Sequence, residues 1–194
     1  MSGAAPTLRV LGIAGSLRAG SYNRALLRAA RGVAPAGMDI AIFEGLRDVP
    51  PYDADQEGGA EPAAVAALRR AIREADALLI ATPEYNYGVP GVLKNAIDWA
   101  SRPAGRAALT RKPAGVLGAS AGASGTMRAQ LALRQSFVFT ETYAMLRPEF
   151  FLPRAGEKFD ASGELTDEAT RDHLRQFLAA LETWIRRFEA KPAP

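Results

Sequence analysis

Short apolar runs alternate with longer amphipathic stretches along the whole chain. LRVLGIA at Leu8–Ala14, ALLIA at Ala77–Ala81 and PAGVLGA at Pro113–Ala119 are almost continuously apolar, the pattern of strands buried on both faces. MDIAIF at Met38–Phe43 predicts another strand, and Tyr143–Leu152 contains a fifth. The intervening stretches read as helices over about 23–33, around Val65, Leu68, Ile72 and Ala75, over Gly91–Ser101 and over Thr126–Val138. In the last stretch Leu174, Phe177, Leu178, Leu181, Ile185 and Phe188 fall on one helical stripe, which Thr166 or Asp167 could start. The Pro-, Gly- and Asp-rich segment Pro50–Pro62 reads as a long surface loop. Strands alternating with helices in this way predict an α/β fold, a parallel sheet covered on both faces. No repeat or break in composition marks a second domain, so 1–194 is expected to fold as one unit with loose ends at 1–6 and 190–194.

Composition narrows the chemistry. The chain has 194 residues, with 24 Lys and Arg against 21 Asp and Glu, spread without a block of like charge. The net charge of +3 therefore suits an anionic small ligand better than a nucleic acid. Cysteine is absent, which excludes disulfides, thiolate metal sites, iron–sulfur clusters and cysteine nucleophiles. The opening MSGAAPTLRV has no signal pattern, and no window approaches the ~18 apolar residues of a membrane span. The expected location is the cytoplasm, with no membrane and no nucleic-acid partner. The single histidine, His173, lies far in sequence from the candidate loops, and a solvated or capping role is expected for it. Asp53 and Asp55 read as ordinary loop or interface residues.

In doubly wound sheets ligands bind beyond the carboxyl ends of the strands. Three loops there have unusual chemistry: Gly15–Tyr22, Thr82–Pro90 and Ser120–Gly125. GSLRAGS nearly matches the P-loop motif, but Ser21 stands where its lysine should be. The dinucleotide fingerprint also fails, because Gly12, Gly15 and Gly20 are wrongly spaced. What remains is Ser16, Ser21 and Asn23 as donors and Arg18 as a cation, in front of a helix N-terminus, a nest for a phosphate monoester. The competing reading is that Ser21 or Asn23 only caps the helix and Arg18 lies in solvent. In TPEYNYGVP, proline and glycine fix a turn whose Tyr85, Asn86 and Tyr87 suit a planar, hydrogen-bonding guest. The tyrosines could equally cover the core or a subunit interface, and Glu84 is expected to contribute backbone rather than its carboxylate. Ser120 and Gly122, in GASAGASG, allow a ligand close to the backbone.

Taken together, GSLRAGSYNR, PYDAD at Pro51–Asp55, TPEYNYGVPGVLKNAIDW and GASAGASG with LRQSFVF after it resemble the NADPH-dependent FMN reductase family, in particular its bacterial chromate- and quinone-reducing members. The resemblance implies a flavodoxin-like sandwich with five parallel strands in the order 2-1-3-4-5. It implies non-covalent FMN, with Ser16, Leu17, Arg18, Ser21 and Asn23 at the phosphate. Pro83, Glu84, Tyr85, Asn86 and Tyr87 would run along the ring, with Ser120 and Gly122 as a second contact. NAD(P)H would pass hydride to flavin N5, and quinones would then take two electrons in a ping-pong cycle. Chromate, azo compounds and ferric chelates are further possible acceptors. The implied assembly is a homodimer or homotetramer, and pairing of Arg128 with Glu149 across subunits is one hypothesis. The alternatives are an electron carrier without NAD(P)H turnover and a regulatory or scaffold protein that binds no flavin.

Overall fold

A computed structural model of the chain describes residues 6–57 and 59–189. The loose ends expected at 1–6 and 190–194 lie outside the described residues, apart from Pro6, whose carbonyl accepts a hydrogen bond from Arg186. The elements are β1 (Leu8–Ala14), α1 (Tyr22–Gly32), β2 (Met38–Ile42), α2 (Ala63–Glu74), β3 (Ala77–Ala81), α3 (Gly91–Ala100), β4 (Pro113–Ala119), α4 (Met127–Thr140), β5 (Tyr143–Ala144), β6 (Phe150–Leu152) and α5 (Glu168–Glu189). All strand pairs are parallel, in the order β2-β1-β3-β4-β5, and β6 also pairs with β4.

The fifth position differs in one respect from the single strand expected within Tyr143–Leu152. β5 pairs with Pro113 and Ala114, and β6 pairs with Leu117, Gly118 and Ala119, so two short strands share one edge. Between them the chain carries Pro148, which has no N–H to give to a ladder.

Side-chain alternation along the strands produces two cores. Val10, Leu79 and Leu117 face α1 and α5, where they meet Leu26, Leu27, Phe177 and Leu181. Leu11, Ile13, Leu78, Ile80 and Val116 face the opposite layer, built from Val65, Leu68, Ile72, Leu93, Trp99 and Phe137. The α5 layer can approach closely because Gly115 has no side chain: a Cβ there would lie 3.0 Å from Leu181 Cδ2.

α5 begins well before its apolar stripe, at Glu168, because Asp167 caps it. The Asp167 carboxylate accepts from the Thr170 N–H at 2.9 Å and the Thr170 hydroxyl at 2.6 Å, and Lys158 Nζ donates to it at 2.8 Å. The hydrogen bonds from Lys158 and then Thr170 pull its pKa down to about 2. This assigns the helix start to Asp167 rather than Thr166.

Winding reverses between β1 and β3, so the loops after β1, β3 and β4 open on the same edge of the sheet. Gly118 holds the last two together. A Cβ at this position would sit 2.3 Å from both the Thr82 carbonyl oxygen and Thr126 Oγ1. We expect Gly118→Ala to destabilise the fold by about 1–3 kcal/mol, the usual scale of overpacking. A denaturant midpoint equal to that of the wild type would refute this.

Candidate functional site

The first loop is set by its contacts with the other two. Ser21 takes an extended conformation and caps α1, its hydroxyl accepting from the Asn23 N–H at 3.2 Å and the Arg24 N–H at 3.4 Å. Asn23 is buried, and its carboxamide binds both polar groups of Ala119 at the end of β4: Nδ2 donates to the carbonyl and Oδ1 accepts from the N–H, each at 2.9 Å. Ser16, also buried, lies 3.3 Å from the Tyr85 hydroxyl, and its own oxygen accepts from the Arg18 N–H at 3.4 Å. Gly15 lets this loop press on the second, since a Cβ would lie 2.9 Å from Leu93 Cδ2 and 3.2 Å from Pro83 Cδ. Arg18 is exposed, and its side chain has no hydrogen bond or ion pair among the described residues.

The tyrosine turn closes on itself. Tyr85 and Gly88 exchange backbone hydrogen bonds at 3.2 and 2.9 Å, and the two residues between them, Asn86 and Tyr87, both have positive φ, at 50° and 65°. This is a type I′ arrangement, ordinarily the preserve of Asn and Gly, so Tyr87 holds its place at some cost in backbone strain. The residue is 71% exposed, and the Arg128 guanidinium lies 3.8 Å from its ring centroid.

Arg128 is oriented in turn by Glu84. The Glu84 side chain is only 5% exposed and contacts the Arg128 guanidinium through Nε and Nη2. It also accepts from the backbone N–H groups of Arg128 at 2.9 Å and Ala129 at 3.2 Å, in the first turn of α4. Burial opposes ionisation, but the Arg128 hydrogen bond and the two amides outweigh it, so the carboxyl titrates below its ordinary range. The carboxylate is thus committed within the chain. Within the chain Arg128 is engaged by Glu84, and Glu149 by Arg147.

The third loop is anchored to the exit of β6. The Ser120 hydroxyl accepts from the Gly122 N–H at 3.1 Å, while the Ser120 and Gly122 carbonyls accept from the Ala155 and Arg154 N–H groups. Ser16, Arg18, Ser21, Asn23, Pro83, Glu84, Tyr85 and Ser120 come together with Tyr22, Ala119 and Ala121 around one cleft of about 190 Å³. Leu17, Asn86, Tyr87 and Gly122 do not line it. Leu17 faces the opposite side of its loop, and Asn86 and Tyr87 stand at the tip of the turn. A larger cleft of about 340 Å³, beside α2 and Trp99, receives none of the three loops.

The donor set suits a phosphate ester attached to a flat ring. Arg18 and the α1 N-terminus, which has no acidic residue in its first turn, offer positive potential, and the one carboxylate lining the cleft is neutralised. Among the described residues no group of three or more His, Asp or Glu side chains could hold a metal, and no helix is long and apolar enough to cross a membrane. His173 stacks on Phe150 and does not line the cleft.

Sequence reasoning missed Arg128 as Glu84's partner because 44 positions separate the two. We expect Glu84→Gln to lower stability by about 1–3 kcal/mol at neutral pH, through the loss of charged hydrogen bonds. Because the folded carboxyl titrates low, its contribution is present above the ordinary carboxylate range and fades as pH falls through the lowered value. The difference between variant and wild type should shrink correspondingly in acid, and a pH-independent difference would contradict the assignment.

Comparisons with known proteins agree with this geometry. The NADPH-dependent FMN reductase family matches residues 8–157. An NAD(P)H-dependent FMN reductase of Pseudomonas aeruginosa is 50% identical over 93% of this chain and 96% of its own length. A quinone reductase of Escherichia coli K12 is 43% identical over 93% of the chain and 96% of its own. The solved structure of FerB, a flavoenzyme NAD(P)H:(acceptor) oxidoreductase from Paracoccus denitrificans, superposes with a TM-score of 0.85 at 36% identity, covering 93% of this chain and 98% of that one. A cleft with a free guanidinium, a helix N-terminus and an aromatic turn, on this sheet and with these relatives, makes the chain a member of the NADPH-dependent FMN reductase family.

Proposed function

We propose that the chain passes electrons from NAD(P)H to quinones by way of FMN held non-covalently in the cleft between its three loops. The observation that carries this reading is the Arg18 side chain, unpartnered among the described residues, beside the α1 N-terminus in a cleft whose one carboxylate is already neutralised by Arg128. Arg18, Ser16, Ser21 and the α1 amides would bind the phosphate, and Leu17 would contribute backbone. Asn23 would fix the seat through Ala119, since its carboxamide is engaged there. Pro83–Tyr87 would border the ring, and Ser120 and Gly122 would approach it from the third loop. What FMN supplies when bound is two-electron transfer between a nicotinamide and an acceptor. The protein's part is to bind, orient and limit access, and no histidine lines the cleft to act as an acid or base.

Quinones are the favoured acceptors because the relatives named above include a quinone reductase at 43% identity. Turnover with NAD(P)H suits the cytoplasm. A homodimer or homotetramer is supported by the exposed Leu131, Val138 and Phe139 on α4 and by Leu146 beside them in sequence. We expect anaerobic NADPH or NADH to bleach the FMN absorbance of the loaded protein, and a quinone to restore it in a second step. Flavin that stays oxidised with both nicotinamides would return the chain to the electron-carrier reading. Arg18→Ala should weaken FMN binding by about 1.5–3 kcal/mol, the scale of a hydrogen bond to a charged group. Unchanged affinity in a fluorescence titration would put Arg18 back in solvent.

A further inference from the structure

The first loop is a wall between two clefts. Ser16 lines both, and Leu17 lines only the second, a small cleft of about 40 Å³ behind the loop. That rear cleft is closed by the turn after β2, whose Phe43, Glu44, Leu46 and Arg47 all face it. Three ties join this turn to the loop and its helix. Leu17 packs in the same apolar cluster as Phe43 and Leu46, Arg24 of α1 pairs with Glu44, and Arg47 Nη2 donates to the Leu17 carbonyl at 2.6 Å.

The third tie has a directional consequence. In a trans peptide the carbonyl and the following N–H point in opposite directions. Arg47 draws the Leu17 carbonyl towards the rear cleft, so the N–H of Arg18 is turned the other way. It is there that this N–H meets the Ser16 hydroxyl, on the wall of the front cleft. The same peptide plane sets where the Arg18 side chain leaves the backbone.

We propose that Arg47 is a positioning residue for the anion seat, acting through the Leu17–Arg18 peptide from behind the loop. The inference rests on the reading that the front cleft holds the FMN phosphate. In that role Arg47 touches neither cofactor nor substrate. It holds the loop in its binding conformation before the ligand arrives, which reduces the ordering left to be done on binding. Removing Arg47 leaves Leu17 against Phe43 and Leu46, and Arg24 against Glu44, so the turn stays attached and the fold is kept.

Riboflavin, which has the ring of FMN but no phosphate, separates the effects. Titrations of the full chain with FMN and with riboflavin would compare the wild type, Arg18→Ala, Arg47→Ala and Arg47→Lys, with thermal melts alongside. The wild type should prefer FMN, and Arg18→Ala should erase most of that preference. Arg47→Ala should weaken FMN by about tenfold while riboflavin stays within about twofold, and lysine, which can still donate to the carbonyl, should restore part of the loss. Unchanged FMN affinity in Arg47→Ala, or an equal loss for both ligands, would overturn the inference while leaving the phosphate reading intact. A wild type that does not distinguish FMN from riboflavin would overturn the phosphate reading, and the role of Arg47 with it.

Discussion

One carboxamide ties the edge of this sheet together. β3 stops at Ala81 while β4 runs on to Ala119, which leaves the N–H and carbonyl of Ala119 on the β3 side with no strand to pair with. The Asn23 side chain takes that place, giving one donor and one acceptor as a further strand residue would. Buried backbone groups must be paired, and here the pairing fixes the start of α1 against the end of β4. The first and third loops are thereby held in register across the end of β3, and the cleft between them follows from that register.

Electrostatics then decide what the cleft can accept. A buried carboxylate would repel an anionic ligand, yet Glu84 stands in the wall of the cleft. The conflict is resolved because Glu84 spends its charge on Arg128 and on the first turn of α4. Its anion stabilises a helix start on one side and leaves the α1 N-terminus and Arg18 unopposed on the other. The positive potential of the site thus depends on a residue of the opposite sign being fully committed elsewhere.

Much of this was legible in the sequence. Buried parallel strands are apolar along their length, so β1, β3 and β4 stood out with their true limits, and the glycine- and proline-bearing loops after them marked the cleft. The hydroxyls, Arg18 and helix start of the first loop pointed to an anion, and the lysine missing where an ATP motif would need it argued against ATP. What stayed hidden was whatever depended on distant partners. Nothing near Asn23 announces Ala119, and nothing near Glu84 announces Arg128. Arg47 is an arginine in an unremarked turn, and only the folded chain brings it to the Leu17 carbonyl. The edge strand is split at Arg147-Pro148-Glu149, a break only three residues long within a stretch that is apolar on both sides. The start of α5 was legible to within one residue, and of its two candidates, Thr166 and Asp167, the hydrogen bonds of Asp167 decide between them.

The Tyr85–Gly88 hairpin is fastened differently from the rest of the site. Its backbone bonds are internal, and its outward ties run through Glu84 and Arg128 to α4 and through the Tyr85 hydroxyl to Ser16. The floor beneath it, joined by Asn23, needs none of the hairpin's tip for its own cohesion. The cleft is therefore divided into a socket fixed by buried hydrogen bonds and an exposed rim. Asn86 and Tyr87 make up the exposed tip of that rim, so a change there leaves the hydrogen bonds between Asn23 and Ala119 in place and separates the shape of the mouth from the cohesion of the sheet beneath it.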